Sequence, residues 1–496
     1  MNGHGKSDGR IVPAKLANNA VEAVTEPVEE RRPAKGNTDD PTRPGRRAGD
    51  DVPSGLDRVR EAARKDRNAR FTALLHHVDL DLLWRSYVAM SPTAAPGVDG
   101  MTWETYGENL RENLEDLLAR VHSGAYRAKP SRRAYIPKAT GRQRPLGIAA
   151  LEDKIVQRAV VEVLNAIYEV DFCGFSYGFR PGRKPHDALD ALAAGITRKK
   201  VNWMLDADLS DFFSTLDQAW LIKFLEHRIA DERVLRLTRK WLAAGVIEDG
   251  MWSETPLGSP QGASVSPLLA NVYLHYVFDR WVRQWRRRHA HGDMIVVRFA
   301  DDFVVGFEKE SDATQFLTDL RERLSAFGLV LHPEKTRLIE FGRHAARNRA
   351  ARGLGKPETF DFLGLTHICA KGRNGGFWVR RITISKRMQA KLKALNVELK
   401  RRRHEPVPVQ GKWLGSVVRG HLNYYAVPGN ADAIGAFRTQ LTRHWFKALR
   451  RRSQKHRLTW ARMKRLESRW LPPARIVHPY PEVRFAATTR GRSPVR

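Results

Sequence analysis

Residues Met294–Phe307, MIVVRFADDFVVGF, constrain this chain more than any other stretch. Two runs of β-branched and aromatic residues, Ile295–Arg298 and Phe303–Phe307, flank Asp301 and Asp302. Such runs around a short polar break predict a tight β-hairpin with adjacent carboxylates at its tip. A carboxylate between apolar strands is unfavourable unless something answers its charge. A surface turn, an Arg partner or a divalent cation would each do so.

The rest of the chain narrows the choice. Its 496 residues have room for two or three domains, and no apolar run approaches a membrane span. The start, MNGHGKSDGR, has no apolar core of a secretory signal. Two cysteines, Cys173 and Cys369, exclude a disulfide framework and fit a reducing cytoplasm. The formal net charge is +31, from 86 Lys and Arg against 55 Asp and Glu. An excess of that size repels itself in a compact state and points to a polyanionic partner, nucleic acid first.

Residues 1–60 contain no Phe, Trp or Tyr and are expected to be a disordered leader. Helical patterning follows from about Leu56 to Met90, and after Tyr106 through Leu110, Leu114 and Leu118. Ala134–Ala149 reads strand, basic turn, strand, with Lys138, Arg142 and Arg144 suited to hold phosphates. Leu151–Tyr168 is a helix with Ile155, Ala159, Val163 and Ile167 on one face. In FSYGFRPGRKPHDAL, Arg180 and Arg183 interleave with aromatics, a pattern suited to phosphates and stacked bases.

Val201–Leu216 reads as a strand ending near Asp206–Asp208 and a turn into a helix, which puts Asp208 at a strand end. TPLGSPQGASVSPLLAN is a Gly- and Ser-rich loop leading into a helix to about Trp285. After the hairpin come a helix from Ser311 to about Phe327, GLVLHPEKT as strand and turn, and Thr359–Ile368 as one strand. From Arg380 the chain turns basic, and three helices are expected over Arg380–Arg403, Trp413–Tyr425 and Ala431–Arg452. The tail from about Leu471 is expected to be partly ordered.

If the strands before Asp208 and around Asp301–Asp302 share one sheet, three carboxylates converge. A pair of Mg²⁺ ions about 3.5–4 Å apart needs such hard oxygen ligands, and Lys138 and Arg144 would then face a nucleoside triphosphate. That combination is nucleotidyl transfer on a polyanionic template.

In order along Phe71–Arg452 run PGVDG, IPK…RPLGI, FSYGFRPGR, ADLSDFF, TPLGSPQGASVSPLLAN, FADD, GLVLHPEKT and FLG. This series resembles the group II intron-encoded reverse transcriptases, or maturases. The resemblance implies an α+β right-hand polymerase: fingers with the start of the palm over 61–200, the palm with its catalytic Asp residues over 201–375, a helical thumb or maturase domain over 376–452 and a basic tail over 453–496. It implies Asp208, Asp301 and Asp302 as catalytic metal ligands for Mg²⁺, and Lys138, Arg144, Phe213 and Gln261 around the dNTP. Phe213 would be the bulky gate against a ribose 2′-OH. Pro260, Gly262, Arg180 and Arg183 would lie along template and primer.

In the thumb, Arg401, Arg402, Arg403, Arg419 and Tyr424 would grip RNA. The implied partners are intron RNA, a DNA target and primer, and dNTPs, with no membrane and a possible homodimer. Two departures stand out. Phe299 replaces the more usual Tyr of the hairpin, and no HNH-like segment with paired cysteines follows the thumb, so DNA cleavage is not expected. Alternative readings are a splicing-only maturase and a reverse transcriptase of a defence or diversity system.

Overall fold

The computed structural model describes residues 55–137, 143–248, 251–254, 257–258, 262–372, 375–453 and 458–489. Most of the expected disordered leader lies outside them. The chain divides into two compact units, one of residues 55–192 with 199–338 and one of 193–198 with 339–489.

The first unit is built on the helix Leu151–Asp171. Glu152 and Asp153 in its first turn complement the positive end of the helix dipole. Its expected face (Ile155, Ala159, Val163, Ile167) is buried, and so are Val156, Val160 and Leu164 on other faces. Residues inward on several sides mark a helix at the centre of a core rather than on its surface.

Two sheets flank that core. β1 (Ser131–Pro137) and β2 (Gln143–Ile148) form the expected hairpin, with Pro137 opposite Gln143. β4 (Val246–Glu248) and β5 (Met251–Ser253) extend it in the order β2-β1-β4-β5. The second sheet runs β6-β7-β3-β8, from β3 (Trp203–Ala207), β6 (Met294–Phe299), β7 (Asp302–Phe307) and β8 (Arg337–Glu340). Val296, Val297, Val304, Val305 and Phe307 are each 0% exposed. Full burial contributes about 1.5–3 kcal/mol per such side chain, so these strands hold firmly while their ends carry charge.

The second unit pairs β9 (Phe360–Phe362), β10 (Leu365–Lys371) and β11 (Phe377–Thr383) in the order β11-β10-β9. Its helices Ser385–Arg401, Val407–Tyr425, Ala431–Arg450 and Trp460–Trp470 close around Leu395, Leu414, Val418, Ile434, Phe437, Leu441 and Trp445.

Four local expectations are corrected. GLVLHPEKT contributes only an isolated bridge at Leu331, and the strand comes later, as β8. Thr359–Ile368 is two strands, because Leu363 and Gly364 both take positive φ (47° and 78°) and turn the chain back. Arg380 lies in a strand, and the basic helix begins at Ser385. Before Leu471 an additional helix, Trp460–Trp470, is capped by Thr459 and buries Met463.

Candidate active site

β3 runs antiparallel to β7, with Asp206 opposite Val304 and Ala207 opposite Phe303. Asp208 follows the last residue of β3 and Asp302 is the first residue of β7, so each is one residue beyond the Ala207–Phe303 pair. Directly opposed positions in an antiparallel pair have Cα atoms about 4.5–5.5 Å apart. Side chains alternate across a strand, so Asp206, Asp208, Asp302 and Phe299 share one face of the sheet. Ala207, Phe303 and Arg298 belong to the other face, where Phe303 packs at 4.5 Å on Phe278.

The hairpin turn is Ala300-Asp301, between the paired residues Phe299 and Asp302. Ala300 has φ 57°. Positive φ at the first of two turn residues is the glycine-favouring arrangement of a type II′ turn. An alanine there stores about 1–3 kcal/mol of backbone strain, which the surroundings must hold.

They hold it from two sides. Gly178 of the FSYG loop lies against the tip: a Cβ built on it would be 2.8 Å from the Phe299 carbonyl carbon. Beneath the turn is the wholly buried ion pair of Arg298 and Asp279, at 2.6 Å. Stranding one member of such a pair costs about 3–5 kcal/mol.

All three carboxylates are half-buried. The Asp208 side chain is 29% exposed and pairs with the Lys335 ammonium, while its carbonyl accepts from the His332 amide at 2.8 Å. Asp206 pairs with Arg337 at 3.4 Å. Thus HPEKT, which sequence reasoning left without a role, runs beside Asp208 and sets a cation on it. Nothing local in the sequence picks Lys335 out, 127 positions from its partner.

Hard, half-exposed carboxylates on one sheet face, one already facing a cation, are a donor set that suits Mg²⁺. Among the described residues no three His, Cys, Asp or Glu side chains are closed around a common point. Asp208 and Asp302 stand at neighbouring strand ends, with the Lys335 ammonium on Asp208.

Phe213 sits on the short helix Phe212–Thr215, entered through Asp211 at φ 44°. Phe212 turns inward and is 2% exposed, while Phe213 stays half-buried beside it. The loop containing Gly258 closes over this turn, with a Gly258 Cβ position 2.5 Å from the Phe213 carbonyl oxygen. Lys138, Pro260 and Gln261 lie outside the described residues. Of Arg144 only the backbone is described, on β2 opposite Ile136. Gly262 is exposed, close to the Gly147 carbonyl of β2.

Arg180 and Arg183 are placed differently from an open template contact. Arg180 is 6% exposed, pairs with Glu169 at 3.0 Å and donates to the carbonyls of Cys173 and Ser176. Arg183 donates to the carbonyls of Gly174 and Ser176 and lies over the Tyr177 ring. Both guanidiniums are spent on shaping the FSYG loop.

In the second unit, Arg401 and Arg402 share Glu398, and Arg402 also stacks over Trp413. Their two guanidiniums hold the Glu398 carboxyl below its ordinary value. Tyr424 donates its hydroxyl to the Leu363 carbonyl, Arg403 is half-buried, and Arg419 is exposed.

The profile of the reverse transcriptase (RNA-dependent DNA polymerase) family matches residues 136–367, which includes β3, the hairpin and HPEKT. Residues 136–367 thus form a reverse transcriptase domain. Its relatives include Protein YkfC of Escherichia coli, 37% identical over 240 residues, covering 42% of this chain and 62% of that protein. Group II intron-encoded protein LtrA of Lactococcus lactis is 31% identical over 235 residues, 47% of this chain and 39% of LtrA. A 91 kDa protein in the cob intron of Schizosaccharomyces pombe is 26% identical over 443 residues, 75% of this chain and 52% of that protein.

The resemblance to group II intron reverse transcriptases is thereby borne out. The chain spans roughly two fifths to three fifths of the length of these relatives. Among the described residues no helix is long and apolar enough to cross a membrane.

Proposed function

We propose that this protein is an RNA-directed DNA polymerase that copies a group II intron RNA and binds that RNA to assist its splicing. The observation that supports the reading is the β3–β7 register, which ends with Ala207 opposite Phe303, one residue short of Asp208 and Asp302, in a strongly packed sheet. Asp208, Asp301 and Asp302 would hold Mg²⁺, which when bound activates the primer hydroxyl and neutralises charge on the nucleotide phosphates.

The chain's own groups supply the remainder. Asp208 and Asp302 offer oxygens on one face, and the packed β6–β7 turn fixes where Asp301 points. Lys138 and Arg144, on the basic β1–β2 hairpin, bind the triphosphate as point charge and fork. Phe213, held on its short turn by the Gly258 loop, bars a 2′-hydroxyl. Pro260, Gln261 and Gly262 border the nascent pair. Arg180 and Arg183 keep the FSYG loop in shape beneath the template. Arg401, Arg403 and Arg419 supply cations for the RNA backbone, with Arg402 and Tyr424 stabilising the surface that carries them.

The test is extension of a DNA primer on an RNA template with Mg²⁺ and dNTPs. The wild-type chain extends the primer, and Asp208→Asn abolishes extension while leaving RNA affinity within about twofold. Full-length product from Asp208→Asn would refute the assignment. Splicing of an intron RNA by a polymerase-inactive Asp301→Asn chain would establish the second activity as separable.

A further inference from the structure

We propose that Arg298 is a positioning residue for the proposed reaction, holding the carboxylate-bearing turn at its working angle through a network buried beneath the sheet. The inference rests on the polymerase reading for its consequence, but not for its geometry. Arg298 is 0% exposed, and on the face of β6 opposite to Phe299.

Every arm of its guanidinium is used. Nε and Nη2 donate to Asp279 at 2.8 and 2.6 Å. Nη1 donates to the Ala300 carbonyl at 2.8 Å and to the Asn271 side-chain oxygen at 3.0 Å. Nη2 also donates to the Ser176 hydroxyl at 2.7 Å. Asn271 in turn donates to the Gly178 carbonyl at 2.8 Å. The backbone of Arg298 bridges the same loop, its amide donating to Phe175 and its carbonyl accepting from Tyr177.

One side chain therefore fastens three separate pieces of chain to each other: the FSYG loop, the helix of Asn271 and Asp279, and the turn itself. The bond to Ala300 is the decisive one. Ala300 is the strained residue of the turn, and its carbonyl immediately precedes Asp301. A surface hairpin needs no such anchor; a hairpin whose tip must present a carboxylate at a fixed angle does.

The helix is adapted to the purpose. A π-helical turn at His275–Asp279 interrupts it and ends at Asp279, and such turns recur where a helix must aim a side chain. His275 is 5% exposed and 4.0 Å from Asp279, and burial pushes its pKa down to about 4. It is uncharged at neutral pH, so it leaves Asp279 to the guanidinium. Lysine could replace the charge of Arg298 but not its fork, which reaches two carboxylate oxygens and the turn carbonyl together.

The experiment compares wild type, Arg298→Lys, Ser176→Ala and Asn271→Ser in the full chain. It reads steady-state primer extension, RNA affinity, and amide hydrogen exchange across 297–303. We expect kcat to fall at least tenfold in Arg298→Lys and severalfold in the milder two. The dNTP KM and RNA Kd stay within twofold, and exchange accelerates at the turn more than in β3 or elsewhere in the unit. Wild-type kcat with unchanged exchange at the turn would overturn the proposal. So would reduced kcat without faster exchange there, or faster exchange with wild-type kcat. Should Arg298→Lys fail to fold, Ser176→Ala and Asn271→Ser decide by the same criteria. Absence of extension in the wild type would instead defeat the polymerase reading, and exchange alone would then judge the anchor.

Discussion

Replacing Gly178 with alanine inserts one methyl group into the contact between the FSYG loop and the hairpin tip. The new Cβ would lie 2.8 Å from the Phe299 carbonyl carbon and closer still to the Ala300 amide nitrogen. Ordinary contact begins near 3.4 Å and the Ala300 nitrogen would lie 2.2 Å from the new Cβ, so the two segments must part by about 1.2 Å. Both neighbours are backbone, and neither can rotate aside. Overpacking of this kind costs about 1–3 kcal/mol, a loss of several degrees in Tm. The effect on chemistry is larger. A displacement of about 1 Å at a reacting centre lowers rates about a hundredfold, so a shift of this size predicts a loss of about a hundredfold in kcat. Thermal unfolding and single-turnover primer extension on an RNA template measure the two effects separately. Wild-type turnover in a Gly178→Ala chain with the expected fall in Tm would refute the claim that this contact positions the carboxylates.

Two further outcomes are expected. Phe213→Val should admit ribonucleotides, lowering the discrimination between dNTP and rNTP by at least tenfold in competitive extension; unchanged selectivity would remove Phe213 from the gate. His421 is buried against Phe437 at 3.7 Å, and burial with the nearby Lys391 lowers its pKa to about 3. Below about pH 6.5 the unfolded chain binds a proton that the folded chain refuses, so stability falls as pH drops from about 6.5 towards 3, by up to about 1.4 kcal/mol per pH unit. Urea unfolding at pH 7 and pH 5 should show that slope, and His421→Phe should make it shallower.

Much of this site is legible in the sequence because it depends on strand chemistry. The hairpin at Met294–Phe307 follows from two β-branched runs around a polar break, and Asp208 at a strand end follows from the apolar run before it. What joins them is a register across 93 intervening positions, and no local pattern carries that. Lys335 escaped notice because one ammonium among 86 basic residues has no distinguishing neighbour, and its role exists only once the chain has folded Asp208 beside it. Arg298 was hidden differently. It reads as a polar interruption in an apolar strand, and only the buried Asp279 reveals why it is tolerated. Arg180 and Arg183 look like open cations in sequence, yet carbonyls of their own loop consume them. The break between β9 and β10 hinges on Leu363 at positive φ, an unfavourable choice for that residue type that propensity argues against.

The most direct test of the account is where a divalent ion binds. Fe²⁺ replacing Mg²⁺ in the full chain, with ascorbate and peroxide, generates radicals that cut the backbone beside the ion, and the cuts are located by mass spectrometry. The account predicts cleavage at both 206–209 and 300–303, suppressed together by excess Mg²⁺ and lost together in Asp208→Asn. Cleavage confined to one of these segments, or unaffected by Mg²⁺, would contradict it.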